Sequence, residues 1–218
     1  FQIYFDFSGY SDMAIGLAFM LGIKLPINFS SPYKATSIID FWRFWHMTLS
    51  RFLREYIYIP LGGNRFGQIR RHGNIIAVML IGGIWHGAGW NFIIWGGLHG
   101  IYLVVNHVWR FYVTKYINNQ NYPNPLWFWF SRILTFIAIT IAWVFFRSET
   151  LGEAIIMLQG MFAVNGIGIE GFLDNSYGGK TVTNSINLIC LSCLFLIVWF
   201  LPATQELISP RLTKSNGL

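Results

Sequence analysis

Charge is scarce in this 218-residue chain. Asp, Glu, Lys and Arg together make up 11% of it, where an ordinary soluble domain carries roughly 25%. Hydrophobic residues make up 54%, and the mean hydropathy is +0.48. So little charge does not cover the surface of a soluble globule of this size. It also rules against a disordered chain, which needs low hydrophobicity and high net charge. Cysteine is scarce too, with only Cys190 and Cys193 present. They sit three apart in an apolar run, where a disulfide would strain a helix. No further Cys or nearby His completes a metal site there, so they are expected to be small residues at helix contacts. The chain has no Gly-x-Ser-x-Gly nucleophile elbow; Phe7-Ser8-Gly9 lacks the first glycine. Its glycine-rich stretches follow no strand and precede no suitably placed lysine, which excludes dinucleotide and phosphate loops.

Aromatic residues, in contrast, are abundant at 18%, with 10 Trp. Trp and Tyr collect where a membrane meets water. The formal net charge is +6, and the basic residues flank apolar segments. A positive-inside bias explains that placement better than a nucleic-acid partner does. The chain opens on Phe1 inside an apolar run, with no signal-peptide pattern. It is therefore expected to be the C-terminal part of a larger membrane protein, lacking that protein's N-terminal helices.

Five apolar regions follow in order. Phe1 to Ile23 has the length of one span, interrupted by Asp6, Ser8 and Asp12, and Pro26 and Pro32 then mark a loop. Ile38 to Ile59 reads as one amphipathic helix. Trp42, Trp45, Leu49, Leu53 and Tyr56 share one face, and Arg43, His46, Ser50 and Arg54 share another. Ser37 and Asp40 provide a capping-box-like start. Gly62 to Asn74, with Arg65, Arg70 and Arg71, reads as a polar cytoplasmic loop. From Ile75 to Trp109 no Asp, Glu, Lys or Arg occurs. One helix of that length would be roughly 52 Å long, beyond the ~30 Å hydrocarbon core. Two broken or short helices meeting near Gly87-Ala88-Gly89 are expected instead, since broken backbone at membrane depth must be buried in protein or line a cavity. Arg110 to Pro125 reads as a polar loop, and Leu126 to Phe146 as a clear span. Arg147 to Asn184 reads as a long outer stretch, and Ile186 to Leu201 as a shortish last span before a cytoplasmic tail. The whole chain, 1–218, is expected to be a single membrane-embedded region. Its motifs lie in 1–109, and 110–218 supplies further spans and an outer loop.

Histidine is the residue type that points to chemistry. His46, His86 and His99 lie in apolar or amphipathic segments, while His72 and His107 suit solvated or interfacial positions. An ionisable residue inside a membrane segment is a functional hypothesis by default. The structural alternative for each is a helix–helix hydrogen bond. His86 lies in Gly82-Gly83-Ile84-Trp85-His86-Gly87-Ala88-Gly89-Trp90. The glycines strip away bulk and let a substrate reach the imidazole. An imidazole can take a proton from a hydroxyl and return it to a leaving group, as acyl transfer from a thioester requires. His86 and His99 have no third ligand in register, so no metal is expected.

Several long motifs together resemble the bacterial membrane-bound O-acyltransferase family. They are Asp6-Phe7-Ser8-Gly9-Tyr10-Ser11-Asp12-Met13-Ala14-Ile15-Gly16; Phe41-Trp42-Arg43-Phe44-Trp45-His46-Met47-Thr48-Leu49-Ser50, running on to Tyr58-Ile59-Pro60-Leu61-Gly62-Gly63-Asn64; Gly83-Ile84-Trp85-His86-Gly87-Ala88; and Trp95-Gly96-Gly97-Leu98-His99-Gly100. The resemblance is dense from Phe1 to about His107 and lies nearest the alginate O-acetylation branch.

The resemblance implies an all-α, multi-pass protein of the bacterial inner membrane, with helices around a central funnel. It implies acyl transfer, with acetyl-CoA or another acyl thioester as the cytoplasmic donor. The group would pass to an extracytoplasmic polysaccharide such as alginate, through an outer partner protein. No bound cofactor and no nucleic acid are implied. The family's essential histidine falls on His86 and its second polar position on His46. His99, Trp85, Asn91 and Ser50 are supporting candidates. Arg43, Arg51 and Arg54, with Arg65, Arg70 and Arg71, are candidates for the donor's phosphates, although positive-inside topology and lipid headgroups explain them as well. Two rivals stand beside this reading: D-alanyl transfer to teichoic acid in the same family, and a transporter or channel fragment with His on a proton path.

Overall fold

The computed structural model describes residues 1–116, 125–164 and 180–207, without the side chains of 113–116 and 180–186. The described residues are helical, with no strand among them. The helices are α1 (Gln2–Met20), α2 (Ile38–Phe44), α3 (Met47–Leu53), α4 (Gly67–His86), α5 (Trp90–Tyr116), α6 (Pro125–Arg147), α7 (Leu151–Met161) and α8 (Lys180–Phe200). A 3-10 turn at Pro32–Lys34 precedes α2, and a π-helical turn at Arg54–Tyr58 follows α3.

Ser37 caps α2 as its sequence suggests. Its hydroxyl oxygen accepts the Asp40 backbone N–H at 3.1 Å and donates to the Asp40 carboxylate at 2.6 Å. The helix does not continue to Ile59, however. It stops at Phe44, and His46 adopts a left-handed conformation (φ 42°, ψ 57°) before α3 begins. The cause is a contact far away in sequence. Ser30 N–H donates to the Phe44 carbonyl at 3.1 Å, and Met47 N–H to the Asn28 carbonyl at 3.0 Å. These two bonds draw the backbone of 44–47 out of the helical path. Trp42, Trp45 and Leu53 are buried as expected, but Tyr56 is exposed because the π turn rotates it off their face.

The chain does break between α4 and α5, at Gly87–Gly89, and the two helices pack along one another. A Cβ on Gly83 would strike the Phe92 carbonyl, and one on Gly96 the Met79 carbonyl. Only glycine lets the two backbones come this close. Helix covers more of the chain than the sequence patterning implies. α4 starts at Gly67, so Gln68–Asn74 is helical rather than loop. α5 runs to Tyr116, past Arg110, and 117–124 lie outside the described residues. The stretch expected to be an outer loop holds α7, while 165–179 and the tail from 208 lie outside the described residues.

By length and composition, Trp90–Tyr112 and Pro125–Arg147 are long and apolar enough to cross a membrane; α1 is not among such helices, and the apolar part of α8 is shorter. Cys190 and Cys193 are free and exposed on α8 rather than buried at a helix contact. α8 is held through Arg132 of α6. Its guanidinium donates to the Trp199 carbonyl at 2.6 Å and lies 4.5 Å from the Trp199 ring centre. The core is aromatic, built on Phe29, Tyr33, Phe41, Trp42, Trp45 and Trp95, and this core carries the histidines.

Candidate active site

His86 is the last residue of α4, at the helix break. It is partly exposed, and its ring stands edge-on to Trp95 at 5.1 Å and to Phe146 at 5.0 Å. Trp85 sits beside it at 4.9 Å with its own ring largely exposed. Among the described residues no side chain hydrogen-bonds to the His86 ring. A helix–helix hydrogen bond, the structural explanation for such a histidine, is therefore not formed with any described residue.

His46 projects from the kink between α2 and α3 and packs edge-on to Phe7 of α1 at 4.7 Å. Its Nδ1 lies 3.3 Å from Asn28 Oδ1. The kink lies outside the segments long enough to span a membrane. Burial lowers the His46 pKa to about 4, and His86 adds a smaller push in the same direction. His46 is therefore neutral at physiological pH.

His99, on α5, is wholly buried. Its Nδ1 accepts the Trp42 indole N–H at 3.2 Å, and Trp95 stands 5.0 Å away. An indole N–H only donates, so a neutral His99 carries its hydrogen on Nε2, which has no partner among the described residues. Trp95 contacts both His86 and His99, making one aromatic wall between them.

The remaining candidates separate clearly. Ser50 Oγ donates to the Trp42 carbonyl at 3.1 Å and so fastens the kink. Asn91 donates to the Ser148 carbonyl at 2.7 Å, tying the start of α5 to the end of α6. Arg43 pairs with Asp40 at 3.0 Å, and Arg110 joins the same carboxylate at 3.1 Å. Arg54 lines a cavity of about 320 Å³ together with Arg71, Ser50, Tyr58, Trp42 and His107; Arg43, Arg51, Arg65 and Arg70 do not line it. Arg71 donates to His107 Nδ1 at 2.9 Å, and Arg70 lies over the Phe66 ring. Asn28 and Phe7 escaped the sequence reading as site residues. Phe7 lies inside the Asp6–Gly16 motif, but Asn28 has no signal beyond its place between Pro26 and Pro32.

Residues 1–148 match the model of the membrane-bound O-acyltransferase family. A peptidoglycan O-acetyltransferase of Helicobacter pylori is 54% identical over 78% of this chain and 31% of its own. A probable alginate O-acetylase AlgI of Pseudomonas syringae is 47% identical over 74% of this chain and 30% of its own. A teichoic acid D-alanyltransferase of Streptococcus thermophilus is 38% identical over 50% of this chain and 28% of its own. The chain thus spans about a third of the length of the curated relatives it matches.

Proposed function

The chain belongs to the membrane-bound O-acyltransferase family, and from that premise we propose that it carries the histidine centre of an O-acetyltransferase. The observation that supports this most is His86: an imidazole at a helix break, free of hydrogen bonds among the described residues and set edge-on against Trp95 and Phe146. In the proposed reaction, His86 takes the proton from an acceptor hydroxyl as its oxygen attacks the thioester carbonyl carbon. The carbon–sulfur bond then breaks, and the departing sulfur takes the proton back from the imidazolium. His46, held neutral, orients a reacting partner.

The donor is acetyl-CoA on the cytoplasmic side. Arg54 and Arg71 meet its phosphates at the mouth of the cavity they share. The acceptor is an extracytoplasmic glycan. Alginate and peptidoglycan both present ring hydroxyls, and relatives named for each match at similar coverage. An outer partner protein presents the glycan chain to this site. The protein is a multi-pass resident of the bacterial inner membrane, with its helices around a funnel, and the chain supplies the motif-bearing part. D-alanyl transfer uses the same thioester chemistry, but the matching teichoic relative shares less of this chain at lower identity. The test is to supply radiolabelled acetyl-CoA to vesicles bearing the protein. Label entering glycan supports the reading. Label that stays on CoA, with D-alanyl transfer from a carrier protein instead, replaces it.

A further inference from the structure

The side chain of Asn28 reaches across the kink, and one oxygen, Oδ1, meets three groups. The Thr48 backbone N–H lies 3.3 Å from it, the Thr48 hydroxyl 2.6 Å, and His46 Nδ1 3.3 Å. A backbone N–H can only donate. The Asn28 atom facing it is therefore the carbonyl oxygen and not the amide nitrogen. An oxygen that accepts from Thr48 can only accept from His46 as well, so Nδ1 must carry the hydrogen. Thr48 Oγ1, 3.5 Å from Nδ1, leads to the same assignment. Its single hydrogen is already directed at Asn28, so it too faces Nδ1 as an acceptor. A neutral imidazole with its hydrogen on Nδ1 has a bare lone pair on Nε2, across the ring from Asn28.

We propose that Asn28 is a positioning residue that locks His46 as the Nδ1–H tautomer, so that Nε2 accepts a hydrogen bond from a hydroxyl of the acceptor sugar. This role rests on the O-acetyltransferase reading and narrows it. His46 has no hydrogen on Nε2 to offer a thioester oxyanion. It holds the acceptor by a hydroxyl neighbouring the reacting one, and His86 removes the proton. The backbone supports the arrangement: the Met47 N–H to Asn28 carbonyl bond fixes the same two segments at 3.0 Å and keeps His46 in its left-handed conformation.

The direct test needs no acyl chemistry. The chain, labelled with 15N-histidine in detergent micelles, is examined at pH 7 by long-range proton–nitrogen correlation, and His46 is assigned by its loss in His46→Gln. We expect a protonated Nδ1 and a bare Nε2. A His46 with its hydrogen on Nε2 overturns the proposal whether or not the protein transfers acetyl groups. Asn28→Asp keeps an acceptor oxygen and should keep the tautomer. Asn28→Leu removes it and should shift His46 toward the Nε2–H form that a solvated histidine side chain favours; an unchanged tautomer in that variant removes Asn28 from the role. Because the native acceptor is unidentified, kinetics use chitotetraose with acetyl-CoA. Asn28→Leu should raise the KM for chitotetraose about tenfold, the worth of one positioned hydrogen bond, with the KM for acetyl-CoA unchanged and Asn28→Asp restoring it. A rise confined to the acetyl-CoA KM would assign His46 to the donor and refute the proposal.

Discussion

Trp42 in α2 donates its indole N–H to Nδ1 of His99 in α5 at 3.2 Å, and the bond lies wholly inside the protein. Two motifs 57 residues apart in sequence are joined by it. It makes His99, from the Trp95–Gly100 motif, a pillar of the core. His99→Phe keeps an aromatic ring but leaves the Trp42 donor buried without an acceptor. That should lower stability by about 1–3 kcal/mol, while acetyl transfer per folded molecule changes little. Thermal unfolding in detergent, set beside normalised turnover, checks both halves. A turnover loss far beyond the loss of folded protein would put His99 in the chemistry.

The α4–α5 contact gives a paired prediction. A methyl group at Gly96 would collide with the Met79 backbone, whereas one at Gly97 would meet only the Leu80 side chain at 3.7 Å. Gly96→Ala should therefore push the two helices apart, displace His86 and lower both stability and transfer. Gly97→Ala should be nearly neutral. Size-exclusion yield and turnover of the two variants decide the matter; equal behaviour would contradict the close approach.

The arginines divide by their partners. Arg54 and Arg71 share the cavity, while Arg43 is held by Asp40. Arg54→Gln with Arg71→Gln should raise the KM for acetyl-CoA roughly tenfold or more, the loss of charge-assisted contacts, and leave kcat nearly intact. Arg43→Gln should leave the KM within about twofold, as an exposed ion pair is worth only ~0–1 kcal/mol. A KM effect at Arg43 alone would move the donor site to the other side of α2.

The pH dependence follows from His46. Its folded pKa, about 4, lies below the ordinary imidazole value of 6.5. The unfolded chain therefore takes up a proton first as pH falls. The stability that neutral His46 contributes is complete above about pH 6.5 and is lost progressively toward pH 4. Unfolding midpoints measured from pH 7 to 5 should fall, and should fall less steeply in His46→Gln. Equal slopes would mean that His46 titrates normally.

Much of this architecture was legible in local sequence. The Ser37 cap and the break at Gly87–Gly89 each have a nearby cause, a hydroxyl before an apolar run and a cluster of small residues. The clear span beginning near Leu126 is α6. The kink at His46 was not legible, because no Gly or Pro marks it and the spacing of Trp42, Trp45 and Leu49 suits an unbroken helix. Its cause is the backbone of 28–30 pairing with 44–47, which local periodicity does not encode. The same long-range contact hides Asn28. The site histidines were legible as residues, but which nitrogen each presents depends on partners brought in by the fold, Asn28 for His46 and Trp42 for His99.

His86 as the base is decided by acetyl transfer from acetyl-CoA per folded molecule in the wild type, His86→Ala and His86→Gln. Glutamine keeps a polar group of similar reach but cannot accept and return a proton. Loss of a general base typically costs on the order of 10²–10⁴-fold, whereas loss of a helix–helix hydrogen bond in a membrane costs only about 0.6 kcal/mol. Both variants are expected to fold with near-normal yield and to lose at least about a hundredfold of activity. Near-wild-type turnover in His86→Gln would contradict this and pass the base to His46.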